Sequence, residues 1–325
     1  MLTAFNYYDP EEEERVRKGI KENPFFQKEL ALAEAFSLVH PKHGDSLKQC
    51  LVCGSGEMHT FFWKWGIQYL RCEHCYSIMA DVDEADAKLY AALESLKTIR
   101  SSKEYQEEGS AVRMGRWEEI VDWLRFRSYR YCGMNQGLSV VDYGNRWTTF
   151  CEMLEHSELC GEYCLNNSIL SKEQDKKTGQ AELILALDYL QQVQNPKEFF
   201  QEIYESLAPQ GLLILGTKVG SGLDVLLLRE NNNNVFPYEH ILMPSKEGLK
   251  ILLENAGMEL LEFTTPGTFD MNYVRANKDG IAREDYFMRY FMDTATPNAE
   301  AEFQRFIQRA GLSSYAQIIA RKKSA

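Results

Sequence analysis

Four cysteines fall in two pairs, Cys50-x2-Cys53 and Cys72-x2-Cys75, with eighteen residues between them. This is the spacing of a four-thiolate zinc site. Each Cys-x2-Cys closes a tight knuckle that sets two thiolates about 3.7 Å apart, the tetrahedral edge that follows from Zn–S bonds near 2.3 Å. Gly54 and Gly56 allow the turn beyond the first knuckle. Four thiolates leave no open coordination position, so the metal, Zn2+, is expected to be structural rather than catalytic. His59 and His74 are alternative ligands that a complete set of four cysteines does not need. Cys132, Cys151, Cys160 and Cys164 lack such spacing and read as plain thiols.

A second group with chemical potential is Tyr238-Glu239-His240, an acid and an imidazole side by side in a loop-like stretch. A His near its ordinary pKa serves as a base at neutral pH. The plainer reading is that the pair orders a loop. A third is Asp142-Tyr143-Gly144-Asn145-Arg146-Trp147-Thr148, which follows a short apolar run, Leu138 to Val141, suited to a buried parallel strand.

These groups need elements to hold them. Between the cysteine pairs, Phe61, Phe62, Trp63, Trp65, Ile67, Tyr69 and Leu70 are strand formers in partial alternation, as in a zinc ribbon at 49–82. Residues 1–48 read as a helical segment, with Leu32, Ala35, Phe36 and Val39 near one face. Residues 83–137 read as a helical connector, with Trp117, Ile120, Val121 and Leu124 at helical spacing. From Leu138 strand-like and helix-like segments alternate. Strands are expected at Ala181–Leu187, Gly211–Thr217, Met258–Thr264 and Ser314–Arg321, and helices at Pro196–Leu207 and Ser245–Ala256. Such alternation implies an α/β, doubly wound domain over 138–325. Asn231–Asn234 is a short polar run of surface-loop character.

Residues 138–325 resemble the class I S-adenosylmethionine (SAM) methyltransferases, a Rossmann-like family. Asn195-Pro196 through Phe199, Phe200 and Ile203 to Pro209-Gln210-Gly211 resembles the family's helix, Pro-x-Gly turn and following strand. Phe236 to His240, then Pro244-Ser245, resembles its Glu-His pair before a Ser-capped helix. The resemblance implies SAM binding at Asp142, Gly144 and Asn145, at Glu162 with Tyr163 as the acid ending a second strand, and at Leu187 and Asp188. Arg146 and Thr148 stand where the family has glycines. Arg146 would either fill the methionine pocket or pair with the cofactor carboxylate. Between Glu162 and Ala181 the family's third strand is expected to be missing or very short.

A zinc ribbon before such a domain is similar to the nucleotide-sugar C-methyltransferases, in which the Tyr/His-Glu-His segment removes a proton beside a ketone. That resemblance implies catalytic roles for His240, Glu239 and Tyr238, and a small-molecule acceptor such as a sugar or glycan precursor. The alternative is a catalytically silent relative acting as a binding or partner subunit. The insertion at 276–310, with Tyr286, Phe287, Tyr290 and Phe291, is expected to be helical. It would wall the acceptor pocket or face a second copy in a homodimer, although core packing is the simpler reading of each aromatic.

The net charge of −12 opposes broad binding to nucleic acid or anionic membranes. Stacking of bases on Trp63, Trp65, Tyr69 and Arg71 is the reading that this charge disfavours. No run of 18 apolar residues and no signal-peptide pattern are present, so a cytoplasmic location with reduced cysteines is expected.

Overall fold

The computed structural model describes residues 47–82, 95, 98–144, 147–166, 180–237 and 239–323. The helical reading of 1–48 therefore lies outside the described residues, except Leu47 and Lys48, which are not helical.

Two sheets form. In the first, β1 (Met58–Lys64) and β2 (Ile67–Cys72) make an antiparallel hairpin. Its two-residue turn is Trp65-Gly66, both at positive φ, 49° and 79°, the type I′ geometry that matches strand twist. β3 (Ile78–Ala80) joins β2, and β8 (Leu242–Met243) arrives from far along the chain to pair with β3.

The second sheet has six strands. β4 (Leu138–Tyr143), β5 (Cys160–Asn166), β6 (Ala181–Leu187) and β7 (Leu207–Lys218) run parallel. β10 (Tyr315–Lys322) is antiparallel to both β7 and β9 (Met258–Thr264). The order is β5-β4-β6-β7-β10-β9. The chain runs outward from β4 to β5 and returns on the other side of β4 at β6, so β4 and β6 flank a topological switch point. Residues 167–179, the stretch in which a third strand would fall, lie outside the described residues.

Strand side chains alternate between the sheet's two faces. Val141, Tyr143, Ile184 and Ala186 join a core with α3 (Pro196–Ser206) and α5 (Lys246–Asn255). Leu138, Val140, Leu183 and Leu185 join another with α1 (Lys103–Cys132) and α2 (Thr148–Glu155). α1 begins at Ser102, whose side chain accepts from Tyr105 N, and ends at Gly133 at φ 72°. It packs through Trp117 and Leu124, as its periodicity predicts, and Arg127 pairs with Glu262 of β9 at 2.7 Å.

A third cluster joins α4 (Leu223–Leu228), α6 (Asp270–Ala276) and α7 (Tyr286–Thr294), and α8 (Pro297–Ala310) follows. The insertion is helical as expected, but the core-packing reading fails for three of its aromatics. Met288 and Met292, one turn apart, form the inward face of α7, which leaves Tyr286, Phe287 and Tyr290 about 70% exposed or more on the other side (77%, 67% and 71%).

Candidate functional site

The two knuckles bring the Sγ atoms of Cys50, Cys53, Cys72 and Cys75 within 4.8 Å of one another. Cys50 and Cys75 lie 3.6 Å apart, and so do Cys53 and Cys72. That is close to the edge of a ZnS4 tetrahedron, so the donor set fits the ion in number, chemistry and spacing. Each knuckle is followed by a residue in the left-handed region, Gly54 at φ 79° and Tyr76 at φ 59°. Gly54 N donates to Cys50 O and Tyr76 N to Cys72 O, which closes both turns. The Cys75 thiol is drawn down to about 5, first by its hydrogen bond with Cys50 and then by Ser77. His59 pairs with Glu73 at 2.8 Å and His74 is exposed, so the cluster is one of cysteines alone.

The centre is not a detached module. Cys50, Cys72 and Cys75 belong to the same core as α3 and α5. Ser245, the N-cap of α5, accepts from Gly248 N at 2.9 Å and donates to Cys75 O, while its own N–H donates to Ser77 Oγ at 3.1 Å.

At the switch point, Gly144 ends β4 at φ 67°, where a Cβ would meet the Tyr189 ring at 2.0 Å. Across the crevice, Leu187 ends β6 and Asp188 follows it, exposed, at φ 58°. Both positions thus hold backbone conformations that few side chains tolerate, and Asp is among the few. Asp142 is wholly buried and accepts from Tyr163 OH at 2.9 Å. Burial and the Asp142 charge push the Tyr163 phenol far up. Asn145 and Arg146 lie outside the described residues.

Glu162 needs correction as a strand-terminal acid. β5 continues through Cys164 to Asn166, because its backbone pairs with β4 along its length. Glu162 stands opposite Ser139, near the start of β4, and Asn166 stands opposite Tyr143 at the ligand end. The strand was read as ending four residues early because its exposed outer edge carries no apolar run.

Trp147 does not enter the crevice. Its ring stacks on Tyr105 of α1 at 5.4 Å and tilts against Trp117 at 5.8 Å. Gly109 makes room, since a Cβ there would lie 2.1 Å from that ring. Trp147 offers no side-chain cap to α2, and α1 supplies one instead: Thr148 N donates to Gln106 Oε1 at 3.0 Å, and Ser110 and Thr149 hydroxyls meet at 3.0 Å.

Glu239 and His240 are both buried, at 7% and 6% exposure, and Tyr238 lies outside the described residues. Glu239 is ion-paired with Arg100. His240 Nδ1 receives the Phe236 N–H at 3.0 Å. Burial pushes the imidazole down to about 3, against the opposing pull of Glu239, with Lys218 and Lys64 pushing the same way as burial. The expectation of a His near its ordinary value is therefore replaced by one that is neutral throughout the physiological range.

Around it runs a polar chain that the sequence did not reveal. Lys218, at the end of β7, approaches Asp224 of α4 at 3.4 Å. Asn232 Nδ2 donates to the same carboxylate at 3.0 Å, and Lys64 of β1 donates to Asn232 O. All four are buried. They belong to four separate stretches of chain, and only Lys218, just past an apolar strand, carried a positional signal.

A protein-family profile described as a methyltransferase domain matches residues 93–262. No curated protein matches the chain in sequence. Among solved structures it is similar to a protein from Galdieria sulphuraria described as a provisional sarcosine dimethylglycine methyltransferase (14% identity, 63% of this chain and 85% of that one, TM-score 0.41). It is also similar to the plantazolicin methyltransferase BpumL in complex with SAH (12%, 73% and 99%, TM-score 0.38). A third is the [4+2]-cyclase SpnF (15%, 63% and 81%, TM-score 0.36).

Proposed function

Because the chain belongs to the methyltransferase-domain family, we propose that it transfers a methyl group from SAM to a small acceptor, a sugar or glycan precursor, with a zinc ribbon holding the acceptor side of the fold. The observation that carries this reading is the switch point itself, where Gly144 and Asp188 turn through the left-handed region at the ends of adjacent strands. Bound SAM would supply an electrophilic methyl. The residues proposed to border it are Asp142, Gly144, Asn145, Leu187 and Asp188, with Asn166 taking the place first read for Glu162 and Tyr163. Tyr163 on this reading orients Asp142 from beneath.

Glu239 and His240, with Tyr238, remain the proposed acceptor-side catalytic residues. On this side of the fold the acceptor would give up a proton, the methyl group being what a bound SAM would supply. Either His240 or Glu239, which Arg100 would fix beside it, would take that proton; the burial that keeps the imidazole neutral at pH 7 also makes it the weaker base. Zn2+ would be structural, held by Cys50, Cys53, Cys72 and Cys75. The partner is read as a small molecule, with neither nucleic acid nor membrane. Among the described residues no helix is long and apolar enough to cross a bilayer.

The silent-relative reading has its own observation: α1 already caps the α2 N-terminus through Gln106 and holds Trp147 against the crevice loop. Isothermal titration of the zinc-loaded protein with S-adenosylhomocysteine separates the two. Micromolar binding supports the enzyme; absence of binding at millimolar ligand ends that reading and leaves the silent one.

A further inference from the structure

Phe61 sits at a β-bulge: the β1–β2 register shifts between Thr60 and Phe62, so Phe61 has no partner in the ladder and its side chain is re-aimed. Two arginines converge on its ring. The Arg71 guanidinium carbon lies 5.7 Å from the ring centroid and that of Arg229 lies 5.5 Å from it. The Arg71 guanidinium carbon also lies 5.5 Å from the centroid of the Tyr76 ring. In each arginine Nε is buried without a hydrogen-bond acceptor among the described residues, and neither forms an ion pair there. In a chain of net charge −12, two cations against one ring, without a carboxylate partner among the described residues, are a specific arrangement.

The backbone is also committed to it. Arg229 stands at φ 48°, a left-handed conformation costly for a long side chain, and Tyr76 at 59°. One arginine comes from β2, the other from the end of α4, so the pair spans the seam between the small sheet and the larger domain.

We infer that Arg71 and Arg229, set around Phe61, form a binding site for the phosphate group of a small phosphorylated molecule. A phosphate monoester carries close to two negative charges at neutral pH and three acceptor oxygens, which matches two guanidinium forks; a carboxylate would neutralise only one. None of these residues is among those proposed to border SAM.

The test is titration of the full-length, zinc-loaded protein with inorganic phosphate at constant ionic strength, followed by 31P NMR and by thermal stabilisation. Saturable binding is expected, with Arg71→Gln and Arg229→Gln each weakening it about tenfold or more and with sodium acetate failing to compete. The variants' melting temperatures in chloride distinguish loss of binding from loss of fold, and Arg71→Lys, which keeps the charge without the fork, should bind weakly while folding normally. Absence of saturation at millimolar phosphate, or glutamine variants that bind as the parent does, would overturn the site. Displacement of phosphate by a single-stranded oligonucleotide at far lower concentration would overturn the small-molecule class.

Discussion

At the end of β4 the left-handed turn at Gly144 and the Tyr189 ring beside it leave no space for a side chain. Gly144→Ala should cost about 2–4 kcal/mol from the strained backbone and the forced repacking together, and remove S-adenosylhomocysteine binding. Denaturant melts and the same titration check both parts. His240 makes a pH prediction whose sign follows from burial. Its folded pKa, about 3, lies below the ordinary 6.5, so between those values the unfolded chain binds the extra proton. Stability from this group is complete above about pH 6.5 and falls as the pH drops toward 3. A His240→Gln variant that still folds should lose less stability between pH 6.5 and 4 than the parent, read from urea midpoints across that range. The four zinc-type cysteines were legible because the signal is local spacing. The ionisation of His240 was not, since it depends on Lys64, Lys218 and burial by distant segments.

Elements repeat the lesson one level up. Ser245 was readable as a helix cap from its place before Lys246–Asn255, but its second task, tying α5 to Cys75 and Ser77, was not. Ser245→Ala should therefore cost about 1–3 kcal/mol, more than a cap alone, and should accelerate zinc loss to a chelator. Cys72→Ser should release the metal outright; elemental analysis is expected to find about one zinc per chain before and none after. The helix α1 was legible from Trp117 and Leu124, whereas its hold on the crevice loop, through Tyr105, Gln106 and Gly109, depends on which face of Trp147 it meets. Trp147→Ala is expected to cost about 3–5 kcal/mol in thermal or urea unfolding. The early end assigned to β5 shows the limit of pattern reading at a sheet edge: Glu162, Cys164 and Leu165 are all exposed, so no burial period marks where pairing stops.

Across the whole molecule, the alternating strands and helices after Leu138 announced the larger sheet, but alternation does not announce that its last strand, β10, runs antiparallel to its neighbours. The bond between that sheet and the cysteine module had no sequence signature, because Lys64, Lys218, Asp224 and Asn232 meet only in three dimensions. Lys218→Ala would strand the buried Asp224 carboxylate and should cost about 3–5 kcal/mol. Since the cysteine centre shares a core with α3 and α5, calorimetry should show the centre and the larger sheet melting in one transition, and chelation should lower that transition as a whole rather than split off an early one. The pairing of β3 with β8 also bears on synthesis. The chain passes Cys75 and Ile78 long before Leu242 and Met243 exist. At about 5–20 residues per second, the nascent module waits roughly 8–30 s for its closing strand. During that interval the β3 edge stands uncovered, and metal capture by the four thiolates would hold the knuckles beside it in place, so cellular zinc supply should set the yield of this protein before it affects the stability of finished molecules.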